Sequence, residues 1–149
     1  EKNIRSGTIS VHNIVGLGKA CEISKNRLIK DTKHIKFLHN RLINGIVSQI
    51  PNIIINGSIE HRLAGNLNVC FPSINSDSIL MSIREIALSN GSACTSSSIK
   101  PSHVLKAIGL TDEQAHASIR FGIGRFNTEE EIDYTIKKVS AVVTKREYS

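Results

Sequence analysis

Two short segments of the chain alternate strictly in polarity. In residues 66–71, Leu67, Val69 and Phe71 point one way and Asn66, Asn68 and Cys70 the other. In residues 118–124, Ile119, Phe121 and Ile123 oppose Arg120, Gly122 and Gly124. A period of two with one apolar side marks a half-buried strand. Two such strands need a second layer over the apolar side, and the rest of the chain supplies helices. Val11, Ile14, Val15, Gly18 and Cys21, then Ile35, Leu38, Leu42 and Ile46, recur at helical spacing. They predict one long helix or two in series over 11–49, with Asp31 and Thr32 as the place for a break and Pro51 as the stop.

Further elements follow in order. Residues 52–56 are β-rich and Asn56-Gly57 is a turn signal. Ile79, Leu80, Ile83, Ile86 and Ala87 predict a helix capped by Ser76 or Asp77, and Leu88-Ser89 a short strand. Residues 90–101 are small and Ser-rich and read as a loop. A short helix is expected to open near Pro101 and close at Gly109. Thr111 with Gln114, and Thr128 with Glu131, have capping-box spacing; the second box opens a last helix to about Lys145. No repeat or internal boundary interrupts this order. The expected fold is α+β: a small, mostly antiparallel sheet covered by helices, with a long N-terminal helix.

With 149 residues, 40% of them hydrophobic, the chain is expected to fold as one domain. No run of about 18 apolar residues occurs, the first residues lack a signal peptide's apolar stretch, and membrane association is not expected. Three cysteines with no CxxC pair argue for a reducing compartment, and a cytoplasmic location is expected. The net charge of +6 comes from lysines and arginines scattered from Lys2 to Arg146 among acids. With four Phe, two Tyr and no Trp, stacking platforms for bases are scarce. The charge reads as a solvated basic surface or a docking face for an acidic protein, and direct nucleic-acid binding is not expected. Met81 is the only methionine, and the chain is expected to be a piece of something longer.

Three places carry chemistry. Cys94 lies among Gly, Ser and Ala, with Lys100 and Arg120 as cations that would favour its thiolate if near in space. Arg120 sits on the non-apolar side of its strand between small residues, and a guanidinium is the natural fork for a carboxylate. Arg5-Ser6-Gly7-Thr8 offers hydroxyls and backbone N–H groups ahead of a helix, a form suited to phosphate. Cys21 and Cys70 read as small buried hydrophobes. The six histidines show no metal-ligand spacing, and no metal site is expected.

These residues bring a family into view. The stretch Ser89-Asn-Gly-Ser-Ala-Cys-Thr-Ser96 through Pro101-Ser-His-Val-Leu-Lys-Ala-Ile-Gly109 resembles the NifS/IscS-type cysteine desulfurases, as do 115–126 and 128–133. These are pyridoxal-phosphate enzymes of the class V aminotransferase superfamily. Arg5-Ser-Gly-Thr8 and Asn66-Leu-Asn-Val-Cys-Phe71 extend the likeness over nearly the whole chain, in the family's order. The likeness is to the group with a long cysteine loop. It implies the C-terminal domain of a fold-type I enzyme, with 1–10 a remnant of the large-domain segment and 11–149 the small domain. It further implies that Cys94 takes sulfur from substrate L-cysteine as a persulfide, releasing L-alanine. Arg120 would hold the substrate carboxylate, and Thr8 would reach the cofactor phosphate of the other subunit of a homodimer.

A sulfur acceptor or iron–sulfur scaffold would be the partner, and Cys94 could transiently share a cluster with it. The family's Schiff-base lysine, ring-stacking histidine and most phosphate contacts have no counterpart here, and its C-terminal docking tail is also expected to be missing. Ala64 stands where proline is usual and Asn90 where a second serine is common. The isolated chain is therefore expected neither to hold pyridoxal phosphate covalently nor to turn over cysteine. A non-catalytic sulfur carrier or partner-binding module that keeps Cys94 is the alternative.

Overall fold

The computed structural model describes residues 7–72, 74–90 and 101–147. Helix α1 runs unbroken over Val11–Gln49. No break falls at Asp31, because its carboxylate accepts from Arg27 one turn earlier, at 3.2 and 3.1 Å, an i,i+4 pair that supports the helix. Ile50 is the C-cap, immediately before Pro51. Three strands follow the sequence pattern with trimmed ends: β1 (Ile54–Ile55), β2 (Asn66–Cys70) and β3 (Ser118–Gly122). They form one antiparallel sheet in the order β1-β2-β3. Register places Leu67 opposite Phe121, Val69 opposite Ile119 and Asn68 opposite Arg120.

Four more helices complete the fold: α2 (Ser76–Ser82), α3 (His103–Ala107), α4 (Asp112–His116) and α5 (Glu129–Glu147). Both capping boxes form. Thr111 accepts from Gln114 N–H while Gln114 accepts from Thr111 N–H, at 3.2 and 3.0 Å. Thr128 and Glu131 exchange the same bonds at 3.3 and 3.2 Å. Gly109 closes α3 at φ +96°, a conformation that suits glycine. Other expectations shift. Asn75 caps α2, its side chain accepting from Asp77 N–H at 2.8 Å. That helix ends at Ser82 rather than running to Ala87. α3 opens at His103, two residues past Pro101, with Ser102 as its cap. Leu88-Ser89 is no strand; Ser89 makes a single bridge to Arg120.

The core lies between the sheet's apolar face and two helices. Leu38, Leu42 and Ile46 of α1 and Ile132, Ile136, Val139 and Val143 of α5 cover Leu67, Val69, Ile119 and Phe121. The two helices pack closely at Gly45, where a Cβ would overlap the Ile136 side chain. Among exposed partners, Arg41 joins α1 to α5 through Asp133 at 2.7 and 2.8 Å and Glu129 at 3.1 Å.

The first half of α1 behaves differently from the second. From Val11 to Lys30 every side chain is exposed except Ile23, which is half-buried. Those residues make about 30 Å of helix at 1.5 Å per residue. Ties to the rest of the fold begin with Asp31, 3.8 Å from Arg125, and His34, whose Nε2 lies 3.0 Å from the Asn127 carbonyl. Cys21 is therefore exposed, which corrects the expectation of a buried thiol; Cys70 is buried as expected. A helical segment without tertiary packing is marginally stable. Backbone amides in 11–30 are expected to exchange with solvent at least about a hundredfold faster than those in 38–46 in a hydrogen-exchange experiment. Uniform protection along α1 would contradict this division.

His39 is a second feature of the core edge. It is 8% exposed, and its Nε2 has no hydrogen-bond partner among the described residues. Burial pushes its pKa below the ordinary histidine value; the Asn40 side chain partly offsets this, and the charge of Arg62 adds a smaller push downward. The folded chain therefore takes up a proton on His39 at lower pH than the unfolded chain, which does so near 6.5. Stability carried by the neutral ring is present above that value. It is lost as pH drops from there through the lowered folded-state pKa. Urea midpoints are expected to fall between pH 7 and 5.5, and His39→Leu is expected to flatten that dependence.

Candidate functional site

The sheet's other face is polar. Cross-strand pairing sets Asn68 beside Arg120 and Cys70 beside Ser118 on this side. Arg120 is fixed through its backbone on both edges: β2 pairs with it on one side, and on the other it exchanges N–H···O bonds with Ser89 at 2.6 and 3.3 Å. Its side chain is exposed, and it makes no hydrogen bond or ion pair with any described residue. Gly122, two residues on, leaves open space where a Cβ would stand.

A cavity of about 670 Å³ opens over this face, lined among others by Asn56, Arg62, Asn68, Asn90, His103 and Arg120. Two arginines reach it, but in different states. Arg62 donates to the carbonyls of Ser58 and Asn56 at 2.6 and 2.9 Å and so fastens the 57–65 loop to the sheet. Its donors serve the backbone. Arg120 alone of the two presents its guanidinium to the space, the arrangement that receives a carboxylate.

Both ends of the loop predicted around Cys94 belong to the same cavity. Asn90 lines it and donates to Asp77 at the start of α2; Ser102, the α3 cap, lines it too. Cys94 itself, with Lys100, Arg5 and Ser6, lies outside the described residues. Cys70 is no rival nucleophile: burial pushes its thiol pKa up, with Ser118 only partly offsetting this, so the thiolate is disfavoured.

Thr8 is exposed and precedes α1, next to Gly7 at φ +92°. The α1 N-terminus has no side-chain cap and no acid in its first turn, so neither offsets its positive end. Some 30 Å of exposed helix separates Thr8 from the point where α1 joins the core. Thr8 and Arg120 thus do not meet within one chain.

A fit to pyridoxal phosphate can be judged on these residues. The Thr8 segment has the chemistry for a phosphate end. No lysine lines the Arg120 cavity among the described residues, so they provide no amine for a covalent link to an aldehyde. No cluster of three or more His, Cys, Asp or Glu residues suited to a metal ion occurs among them. No described helix is long and apolar enough to cross a membrane. A second cavity, of about 490 Å³, lies by α5 with Glu85, Glu130, Glu131 and Tyr134 in its wall. That wall carries several acids, one of them, Glu85, paired with Lys138 at 2.6 Å, whereas the Arg120 cavity carries two arginines.

Sequence reasoning found Arg120 from the alternation of β3. It missed Asn56, Asn68 and Arg62, whose importance depends on partners across the sheet. For Asn68 the signal was present: it shares the polar side of its strand with Cys70.

Known proteins with similar sequence and shape agree with one another. A class-V aminotransferase family profile matches residues 1–135. The cysteine desulfurase IscS of Mannheimia succiniciproducens is 50% identical over 145 residues, covering 97% of this chain and 36% of that protein. The same-named protein of Rickettsia typhi is 48% identical, covering 97% and 35%. Among solved structures, a NifS-like protein from Rickettsia africae superposes with a TM-score of 0.81 at 26% identity, over 96% of this chain and 37% of that one. Another NifS-like protein gives 0.79 at 31% identity, over 95% and 36%. The chain spans little more than a third of the length of the curated relatives it matches. With this matching profile, these relatives and the α+β architecture in agreement, the chain belongs to the class-V aminotransferase family.

Proposed function

We propose that this chain is the sulfur-accepting part of a cysteine desulfurase, with 11–149 its small domain and 1–10 a remnant of the large-domain segment. The observation that carries this reading is Arg120: a guanidinium with no partner among the described residues, in the wall of a cavity that Asn90 and Ser102 also line. Cys94 is four positions on from Asn90, a chain length of at most about 14 Å. That length is short enough for Cys94 to reach a substrate held by Arg120, which supports the reading. Relatives about 50% identical that are named cysteine desulfurases support the assignment.

Each residue has a separate task. Arg120 binds the α-carboxylate of L-cysteine by a bidentate, charge-assisted pair and so orients the substrate. The Cys94 thiolate attacks the substrate sulfur. An S–S bond forms and the C–S bond breaks; its electron pair stays with carbon, which takes a proton and leaves as L-alanine. Cys94 keeps the sulfur as a persulfide and passes it to an acceptor protein, an iron–sulfur scaffold among the candidates, in the cytoplasm. Pyridoxal phosphate, held mainly by the remainder of the enzyme, supplies the electron sink that makes carbon a leaving group. Thr8 serves the phosphate of a partner subunit in a homodimer, in keeping with its distance from the core of its own chain. The chain by itself is inactive.

Mixing decides the matter. The chain is combined with the N-terminal two-thirds of the Mannheimia relative, pyridoxal phosphate, L-cysteine and a reductant, and alanine is measured. Alanine is expected from the mixture and from neither part alone, and Arg120→Ala is expected to raise the KM for cysteine. Alanine from this chain alone would overturn the division of labour.

A further inference from the structure

Beside Arg120, a chain of hydrogen bonds fixes which end of one side-chain amide faces the cavity. Its starting point is the Gln114 carbonyl, which only accepts. Ser118 Oγ donates to it at 2.6 Å, so the serine's one hydroxyl proton is engaged. Asn56 Nδ2 lies 2.9 Å from the same Ser118 Oγ, which is left to accept. The nitrogen end of the buried Asn56 amide is thereby set. Its second proton goes to Asn68 at 2.5 Å, so the Asn68 end facing Asn56 is the carbonyl oxygen Oδ1. The Asn56 backbone N–H also donates to the Asn68 backbone carbonyl at 2.9 Å, which holds the two residues in register. Asn68 Nδ2 remains, with no hydrogen-bond partner among the described residues, on a residue that lines the cavity directly across the strand pair from Arg120.

We infer that Asn68 is a second donor to the anionic group that Arg120 receives, and that Asn56 is the positioning residue that keeps the donor end of Asn68 turned to the ligand. Opposed residues of an antiparallel pair stand about 5 Å apart at Cβ, so the fork and the amide address one carboxylate from neighbouring places. The ligand class is an amino acid carboxylate, and the inference rests on the carboxylate role proposed for Arg120. Turning the Asn68 amide over would set an acceptor against an anion and leave Asn56 with a donor facing a donor. The relay prevents both.

The test uses the intact 149-residue chain, labelled with ¹⁵N and titrated with L-alanine, which has the carboxylate but no thiol. The Asn68 side-chain NH₂ pair and the Arg120 Nε–H are expected to shift along one saturation curve. Asn68→Leu is expected to raise the dissociation constant about tenfold, the scale of a lost hydrogen bond to a charged group. Asn56→Asp, which keeps the shape but removes both donors, is expected to abolish the Asn68 NH₂ response while the Arg120 signal still moves and the backbone spectrum stays folded. A merely structural Asn56 would leave the Asn68 response intact. Movement of Arg120 without Asn68 overturns the inference and spares the Arg120 role. Movement of neither overturns both.

Discussion

Cys94→Ser is expected to bring alanine and persulfide production by the reconstituted pair to background, a loss of roughly 10³-fold or more for removal of a nucleophile. A serine hydroxyl is almost wholly protonated at neutral pH and cannot store sulfur as an S–S bond, so both halves of the role vanish together. The other cysteines provide the contrast. Cys21→Ser lies on the exposed half of α1 and should leave activity unchanged. Cys70 is buried with its thiol pKa raised and stays inert as a nucleophile. Retained activity in the Cys94 variant, or loss on changing Cys21, would remove Cys94 from the mechanism.

Phe71→Ala is expected to cost about 3–5 kcal/mol of folding free energy, measured by urea unfolding. Phe71 is 1% exposed at the end of β2, where its N–H donates to the Ala117 carbonyl at 2.8 Å. Its ring closes the core below Ile50, Ile74 and Val143. Deleting it removes buried apolar surface and opens a cavity that strands fixed on both sides cannot collapse to fill. For a chain of this length the thermal midpoint should drop by roughly 10 °C. A shift of less than about 1 kcal/mol would mean that Phe71 is not part of the cooperative core.

What the sequence made legible was local. Thr111 and Thr128 announce helix starts because each capping box closes within four residues. Leu67, Val69, Ile119 and Phe121 announce the sheet because one buried face imposes a period of two. Arg120 followed from the same pattern. The misreadings arose where the cause lies elsewhere in the fold. Helical spacing at Val11, Ile14 and Val15 reports an amphipathic stripe, not what covers it, and in this chain those residues are 55–66% exposed. The expectation for Cys21 failed with them. Asn75 displaced Ser76 and Asp77 as a cap, since any of the three residue types serves and only backbone geometry chooses. The relay from Gln114 to Asn68 joins positions as far as 62 residues apart and has no periodic signature.

Cys94 Sγ is the atom proposed to receive sulfur, and peptide mass spectrometry tests this most directly. The chain is treated with L-cysteine, pyridoxal phosphate and the complementary N-terminal part, alkylated without reduction, and digested. One added sulfur is predicted on the peptide bearing Cys94, only when both parts are present, and none on those bearing Cys21 or Cys70. Sulfur on Cys21 or Cys70 in place of Cys94, or on Cys94 without the complementary part, would contradict the account.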